Sequence, residues 1–188
     1  MAEVYRPGRR DRLRIRQRRA TLERMRAVLE PERTRILDLG GGTGATATVF
    51  GAGAQEIVVV EPNAKKVARG KAAHAPVTFV DGFAESLPYG PERFDRVVSL
   101  MSFHHFADGD AALREAARVL APGGRLVVYD FDRSHWLGRW AAFFEGRRGG
   151  PPARFVTPAE LERRVTAAGF ARTRHESVGA GTLLVGER

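Results

Sequence analysis

Four short clusters in this chain combine residue types that do chemistry. The first is Asp38-Leu39-Gly40-Gly41-Gly42-Thr43-Gly44, an acid followed by four glycines in five residues. Glycine lets a backbone come close to a ligand and take positive φ. Where such a run opens a helix, unpaired N–H groups face the ligand. The second cluster is Glu61-Pro62, whose acid lies 17 residues after Gly44, where doubly wound folds bind ribose hydroxyls. The third, Asp81-Gly82-Phe83-Ala84, joins an acid to an aromatic ring and a small residue with a free N–H. The fourth runs from Ser99 through Met101 to His104 and His105. Imidazole titrates near neutrality, so either histidine is a candidate base for a hydroxyl or an activated carbon acid, with His105 preferred. Asp130 and Asp132 are read as a strand terminator and a turn cap. The histidines, at 74, 104, 105, 135 and 175, show no ligand spacing, and cysteine is absent. No metal, no disulfide framework and no thiol nucleophile is expected.

Apolar patterning supplies the elements that must carry these clusters. Short runs at 36–39, 57–60, 77–80, 94–101 and 124–131 alternate with helical patterns from 44, over about 63–73 and over 110–120. That alternation predicts a parallel sheet covered on both faces. Ile57-Val58-Val59-Val60 and Leu126-Val127-Val128 are apolar at every position, as strands buried on both faces must be. Residues 132–157 interrupt the pattern as a short insertion with Trp136, Trp140, Phe143 and Phe144 at helical spacing, followed by a Gly/Pro/Arg loop. Those four aromatics are expected to form a helix packing face, doubling as a wall for an acceptor. Thr157-Pro158 has the form of a helix N-cap and first position. The tail, 171–186, reads as two strands joined near Gly179–Gly181.

The Gly-rich cluster leaves two ligand classes open. Gly42-x-Gly44-x-x-Ala47 satisfies a loose dinucleotide fingerprint. Against this, a carboxylate at Asp38 repels a pyrophosphate and suits an ammonium group. S-adenosylmethionine carries an ammonium and a ribose and no phosphate.

Taken in order, the motifs resemble those of class I S-adenosylmethionine-dependent methyltransferases of the ubiquinone/menaquinone methyltransferase type, over about residues 34–131. Ile36–Gly44 is similar to the first cofactor motif and Val58–Asn63 to the second strand with its ribose acid. Gly82-Phe83-Ala84-Glu85-Ser86-Leu87-Pro88-Tyr89 resembles the adenine-proximal segment, and Phe94–Ser99 the fourth strand. Arg118-Val119-Leu120-Ala121-Pro122-Gly123-Gly124-Arg125-Leu126 resembles the helix–turn–strand that follows. The resemblance implies a single doubly wound, mostly parallel seven-stranded sheet with a reversed last strand in a C-terminal hairpin. It implies a cofactor site at Asp38, Gly40, Gly41, Gly42, Glu61, Pro62, Asp81, Phe83, Ala84, Ser99 and Met101, and the product S-adenosylhomocysteine. Phe83 stands where the family often has an acid for the adenine amino group. A ring there flanks or stacks on adenine instead, with Asp81 as a partial substitute.

Residues 1–35 hold twelve arginines against five acids, which accounts for +7 of the net +9. A basic arm and helix over 1–33 are therefore expected to precede a nearly neutral methyltransferase domain over 34–188. The arm's apolar stripe (Leu13, Leu22, Met25, Val28, Leu29) weakens near the arginines at 14–19, so residues 20–30 are expected to pack on the sheet. Tyr5 and the arm arginines flank the crevice on one side, and 132–157 on the other. The leading function is in-line methyl transfer to a small-molecule acceptor, driven by positioning and desolvation. Nucleic-acid methylation docked by the arm comes second, then a non-catalytic cofactor-binding module, then an NAD-dependent oxidoreductase. Ser99-Leu100-Met101-Ser102 lacks the Asn/Asp-Pro-Pro-aromatic run of exocyclic-amine methyltransferases. No apolar run approaches the roughly 18–20 residues that span a bilayer, no signal core is visible, and a cytoplasmic location is expected.

Overall fold

The computed structural model describes residues 8–73, 77–146 and 153–188. Its sheet contains β1 (Arg35–Leu39), β2 (Glu56–Glu61), β3 (Val77–Asp81), β4 (Phe94–Leu100), β5 (Leu120–Phe131), β6 (Arg172–Val178) and β7 (Gly181–Glu187). Their spatial order is β3-β2-β1-β4-β5-β7-β6. The first five run parallel, and β7 enters antiparallel between β5 and β6. This is the expected sheet with its reversed strand in the C-terminal hairpin. Between β1 and β4 the order changes direction, and ligands in open α/β sheets bind at such a switch point, outside the carboxyl ends of the strands.

Strands that are apolar throughout divide their side chains by the two-residue period of a strand. Leu37, Val58, Val60, Val97, Leu126 and Val128 face one buried cluster, with α5 (Gly109–Val119) and α7 (Pro158–Ala167). Ile36, Val59, Val98 and Val127 face the other, with α2 (Arg19–Leu29), α3 (Ala47–Phe50) and α4 (Ala64–Ala73). Helix α7 starts as its sequence implies, with the Thr157 hydroxyl accepting from the Glu160 N–H and Pro158 in the first turn.

Four local features depart from the expectations. The arm and its helix are two helices, α1 (Arg9–Gln17) and α2, separated at Arg18, whose φ of −107° and ψ of 13° break the helical run. The break lets Thr21, Leu22, Met25 and Leu29 of α2 bury against the sheet while α1 touches that core through Ile15 and leaves Leu13 exposed. The helical stretch after Gly44 is only the single turn α3, ended at Gly51. Strand β5 begins at Leu120, paired with Phe94, and the register shifts before Arg96 meets Arg125, so Ala121–Gly124 bulge out of a strand expected to start at 124.

The fourth departure is α6 (Trp136–Gly146). Trp136, Trp140 and Phe143 were expected to form a packing face, yet each exposes more than half of its side-chain surface. Helix α6 meets the sheet at the β5 end, where Gly138 is buried against the Asp132 backbone, and these three rings lie largely outside that contact. Tyr5, His74, the Phe144 side chain and the Arg147–Pro152 loop lie outside the described residues. Among the described residues no helix is long and apolar enough to cross a membrane.

Candidate functional site

A cleft of about 620 Å³ opens at the carboxyl ends of β1, β2 and β4. Its floor is the β1–α3 turn. Gly40 and Gly42 take φ of +70° and +64°, a conformation nearly closed to residues with a Cβ. A Cβ on Gly40 would stand 2.6 Å from the Ser102 Cβ. One on Gly41 would collide with an Asp38 carboxylate oxygen. The two glycines therefore admit different neighbours: Ser102 from the β4 side, and a carboxylate from beneath.

That carboxylate is the unusual group of the site. Asp38 is buried, and neither of its oxygens has a hydrogen-bond partner. Burial, and then the charge of Glu61, push its pKa from 3.8 up to about 7. A buried carboxylate with no donor beside it is costly to ionise, and a proton or a nearby cation relieves that cost. Asp38 lies behind the Gly turn and is not itself part of the cleft wall.

Glu61, at the end of β2, is buried to 3% exposure but belongs to the wall. The Gly42 N–H donates to one of its oxygens at 3.0 Å and the Asn63 N–H to the other at 3.1 Å. Lys66, half-exposed, pairs with that second oxygen at 3.2 Å. Two backbone donors thus fix the carboxylate plane and leave lone pairs for ligand hydroxyls. Pro62 continues the same wall.

On the third side stand Phe83 and Ala84. Phe83 is 63% exposed with its ring on the cleft, while Ala84 is buried. Glu85 has no individual signal in the sequence beyond its motif. In the fold it accepts from the N–H groups of Ala107 and Asp108 and ties the loop after β3 to the segment after β4. Asp81 is exposed at the end of β3 and contributes nothing to the wall, because a strand end turns it outward from the Phe83 loop.

The β4 end closes the cleft. Met101 lines it with φ of +54°, a left-handed conformation that a non-glycine residue holds only at a cost of about 1–3 kcal/mol. Its N–H donates to the Tyr129 carbonyl at 2.8 Å. Ser99 is fully buried and does not reach the cleft; its hydroxyl lies 2.8 Å from that of Ser102, which donates to the Leu39 carbonyl at 2.6 Å. This serine pair joins the β4 end to the Gly turn. Neither Met101's backbone nor Ser102's role had a sequence signal beyond position.

The two histidines separate. His105 lies on the cleft wall and is exposed. His104, in the 3₁₀ turn Phe103–His105, is buried, stacked on Phe155, and absent from the wall. This corrects its reading as a candidate base. Its Nδ1 sits 2.7 and 2.8 Å from the two Asp130 oxygens, and its backbone N–H donates to Asp130 at 3.0 Å. A carboxylate only accepts, so Nδ1 carries the proton. Asp130, read from the sequence as a strand terminator, is the anchor that docks this turn on β5. Asp132 does cap a turn, accepting from the Ser134 N–H and hydroxyl.

The remaining wall comes from the arm, whose arginines were expected at one flank of the crevice. Arg14 and Arg18, on α1 and at its break, line the cleft beside the Gly turn and the β4 end. Among the described residues no group of three or more His, Cys, Asp or Glu side chains is placed to hold a metal ion.

Known proteins share both the sequence and the architecture. Residues 37–128 match the family described as "Methyltransferase domain". A ubiquinone/menaquinone biosynthesis C-methyltransferase of Rubrivivax gelatinosus is 32% identical over 176 residues, covering 80% of this chain and 68% of that protein. A demethylmenaquinone methyltransferase of Thermus thermophilus is 35% identical over 196 residues, covering 88% of this chain and 89% of its own. An S-adenosylmethionine-dependent methyltransferase from Mesorhizobium loti has a solved structure with a TM-score of 0.76, covering 90% of this chain and 98% of that one. At 19% identity it is a likeness of fold alone.

Proposed function

This chain belongs to the S-adenosylmethionine-dependent methyltransferases, and from that premise we propose that its cleft carries out in-line methyl transfer to a small-molecule acceptor. The observation that carries the reading is the pairing of Asp38 and Glu61. One is a buried acid with no partner, suited to a cationic group. The other is an acid held by two backbone donors at the cleft wall, suited to a diol. A ribose satisfies Glu61 directly, and an ammonium or sulfonium resting on the Gly turn is favoured by the charge of Asp38 behind it. A pyrophosphate satisfies neither.

Bound there, the cofactor supplies an electrophilic methyl group on a positively charged sulfur. The chain's own part is to bind, align and keep water away. Gly40, Gly41 and Gly42 bring backbone against the ligand, Glu61 accepts ribose hydroxyls, and Phe83 and Ala84 flank the base. The Ser99–Ser102 link and the strained Met101 backbone fix the β4 end relative to the Gly turn, so that a second reactant meets a defined surface. Proximity and orientation of this kind are worth about 7–11 kcal/mol of barrier. His105 takes the acceptor's proton where one must leave, and His104, locked to Asp130, holds its neighbour's backbone in place.

For the acceptor we favour a quinone-type ring in its hydroxyl-bearing reduced form, since the two relatives' names mention menaquinone or demethylmenaquinone. Calorimetric titration with S-adenosylmethionine, S-adenosylhomocysteine and NAD tests the cofactor half. Binding of the first two and not the third is expected; preference for NAD overturns the reading. Methyl transfer from labelled cofactor to a panel of hydroquinones and phenols tests the acceptor half. Loss of turnover in His105→Gln, with S-adenosylhomocysteine affinity unchanged, is the expected signature of a base.

A further inference from the structure

Arg18 is partly buried, lines the cleft and donates to no carboxylate or carbonyl among the described residues. Arg14, one turn earlier, lines the same cleft and is equally without such a partner. Their neighbours behave differently: Arg19 pairs with Glu23, Arg24 with Glu176 and Arg26 with Glu32. Burial, and after it the charge of Arg14, hold the Arg18 guanidinium below its ordinary value, while Tyr129 and Asp130 act weakly in the opposite sense. Asp130 acts on Arg18 only at a distance, and its oxygens accept from His104 and from the Phe131 N–H.

Two like charges on one concave wall repel each other, and the partial burial of Arg18, beside an exposed Arg14, removes part of the water that would screen them. The chain nevertheless positions them. The helix breaks at Arg18, and Ile15, between the two arginines, is packed on the core below β1 and β5. Guanidinium groups present paired N–H donors matched to a carboxylate, which they bind more tightly than neutral donors do.

We propose that Arg14 and Arg18 form a carboxylate-binding clamp at the arm side of the cleft. The proposal rests on the methyl-transfer reading above. Two molecules in such a cleft could bring the carboxylate: the cofactor, through its amino-acid end, or the acceptor.

The test is titration calorimetry on the full chain, comparing wild type with R14Q/R18Q and with the charge-retaining R14K/R18K. Three probes are used: S-adenosylhomocysteine; 5′-methylthioadenosine, which keeps the adenosyl thioether and lacks the carboxylate; and benzoate added to protein saturated with S-adenosylhomocysteine. If the cofactor's carboxylate is the ligand, R14Q/R18Q binds S-adenosylhomocysteine at least about tenfold more weakly, and 5′-methylthioadenosine within about twofold of wild type. R14K/R18K falls between. If the acceptor brings it, S-adenosylhomocysteine affinity is unchanged, and saturable benzoate binding to wild type is lost in R14Q/R18Q. Unchanged affinity for S-adenosylhomocysteine together with no benzoate binding governed by the arginines overturns the clamp. Parallel losses for both adenosyl ligands overturn it too, because they report general damage. Wild-type protein that binds neither adenosyl ligand overturns the cofactor reading itself, and the clamp with it.

Discussion

The two walls of the cleft are built on opposite principles. The wall formed by the β1–α3 turn and the end of β2 is local: Asp38 to Gly44 are contiguous, and Glu61 reaches the turn through a parallel pairing of adjacent strands. Its key contacts are backbone ones, such as the Gly40 N–H to the Val60 carbonyl and the Gly42 N–H to Glu61. The wall formed by Arg14 and Arg18 is long-range. It exists because α2 buries Leu22, Met25 and Leu29 against the sheet and the chain breaks direction at Arg18. A backbone-built wall is intolerant of any added atom. A side-chain wall on a surface helix is adjustable, and substitution there should change what binds without unfolding the protein.

The largest effect should come from breaking the backbone wall at its tightest point. Gly40→Val places a branched side chain at φ +70° and against Ser102. It should abolish S-adenosylhomocysteine binding in calorimetry and lower stability by at least the roughly 1–3 kcal/mol of a strained backbone. Normal binding by a folded Gly40→Val protein would refute the tight wall. Gly40→Ala paired with Ser102→Gly should recover part of the binding, because the steric half of the conflict is then removed.

Next in size is Glu61→Ala. Losing the charged acceptor of a hydroxyl pair costs about 1.5–3 kcal/mol, so cofactor affinity should fall about tenfold or more. Lys66 also loses its partner, and its exposed ammonium is expected to return to water with little effect on the melting temperature. An affinity equal to wild type would remove Glu61 from the site.

A smaller effect sharpens the electrostatics of the same wall. Asp38 has a folded-state pKa raised to about 7. Between its ordinary value and about 7 the folded state holds a proton that the unfolded state has lost. Stability from this group is therefore complete at low pH and declines as pH rises to about 7. Binding of a cationic cofactor has the opposite sign, because it favours the ionised carboxylate. S-adenosylmethionine affinity should rise as pH goes from about 5.5 to 7.5, with proton release visible as a buffer-dependent binding enthalpy. Asp38→Asn should flatten that dependence. An unchanged pH profile in this variant would show that Asp38 does not face the cation.

The smallest effect is expected from removing residues 1–12, which leaves Arg14, Arg18 and the packed face of α2 in place. Cofactor affinity should stay within about twofold, since the Gly turn at 40–44 and Glu61 are untouched. A short single-stranded RNA serves as the contrasting probe. Binding with a steep salt dependence, flattened by the deletion, would assign the outer arm to phosphate contacts rather than to the cleft.

The cofactor wall was legible in the sequence because each of its parts is a local signal. A Gly run after an apolar strand specifies a turn that only glycine can make. An acid at the next strand's end specifies a position opposite it. Thr157-Pro158 likewise announced its helix. What escaped was of another kind. His104 and Asp130 are 26 residues apart, and their hydrogen bond follows from β4 and β5 being neighbours. Ser102 supports Leu39 across 63 residues. The exposed aromatics of α6 had helical spacing, but spacing reports a stripe and does not report what covers it.

Local pattern was enough to specify a doubly wound sheet, the location of its switch-point turn and the chemical character of one ligand wall, because strand period, glycine conformations and acid placement act over a few residues. Which charged and titratable groups meet at the cleft was settled by packing. Packing sent Asp38 behind the turn, buried His104 on Asp130 and selected Arg14 and Arg18, out of the arm arginines expected at the crevice, for the wall. Those outcomes depend on which strands lie side by side and on how a surface helix packs across them. Contacts between residues tens of positions apart are paid in loop-closure entropy and settled by the whole core, so no local pattern could announce them.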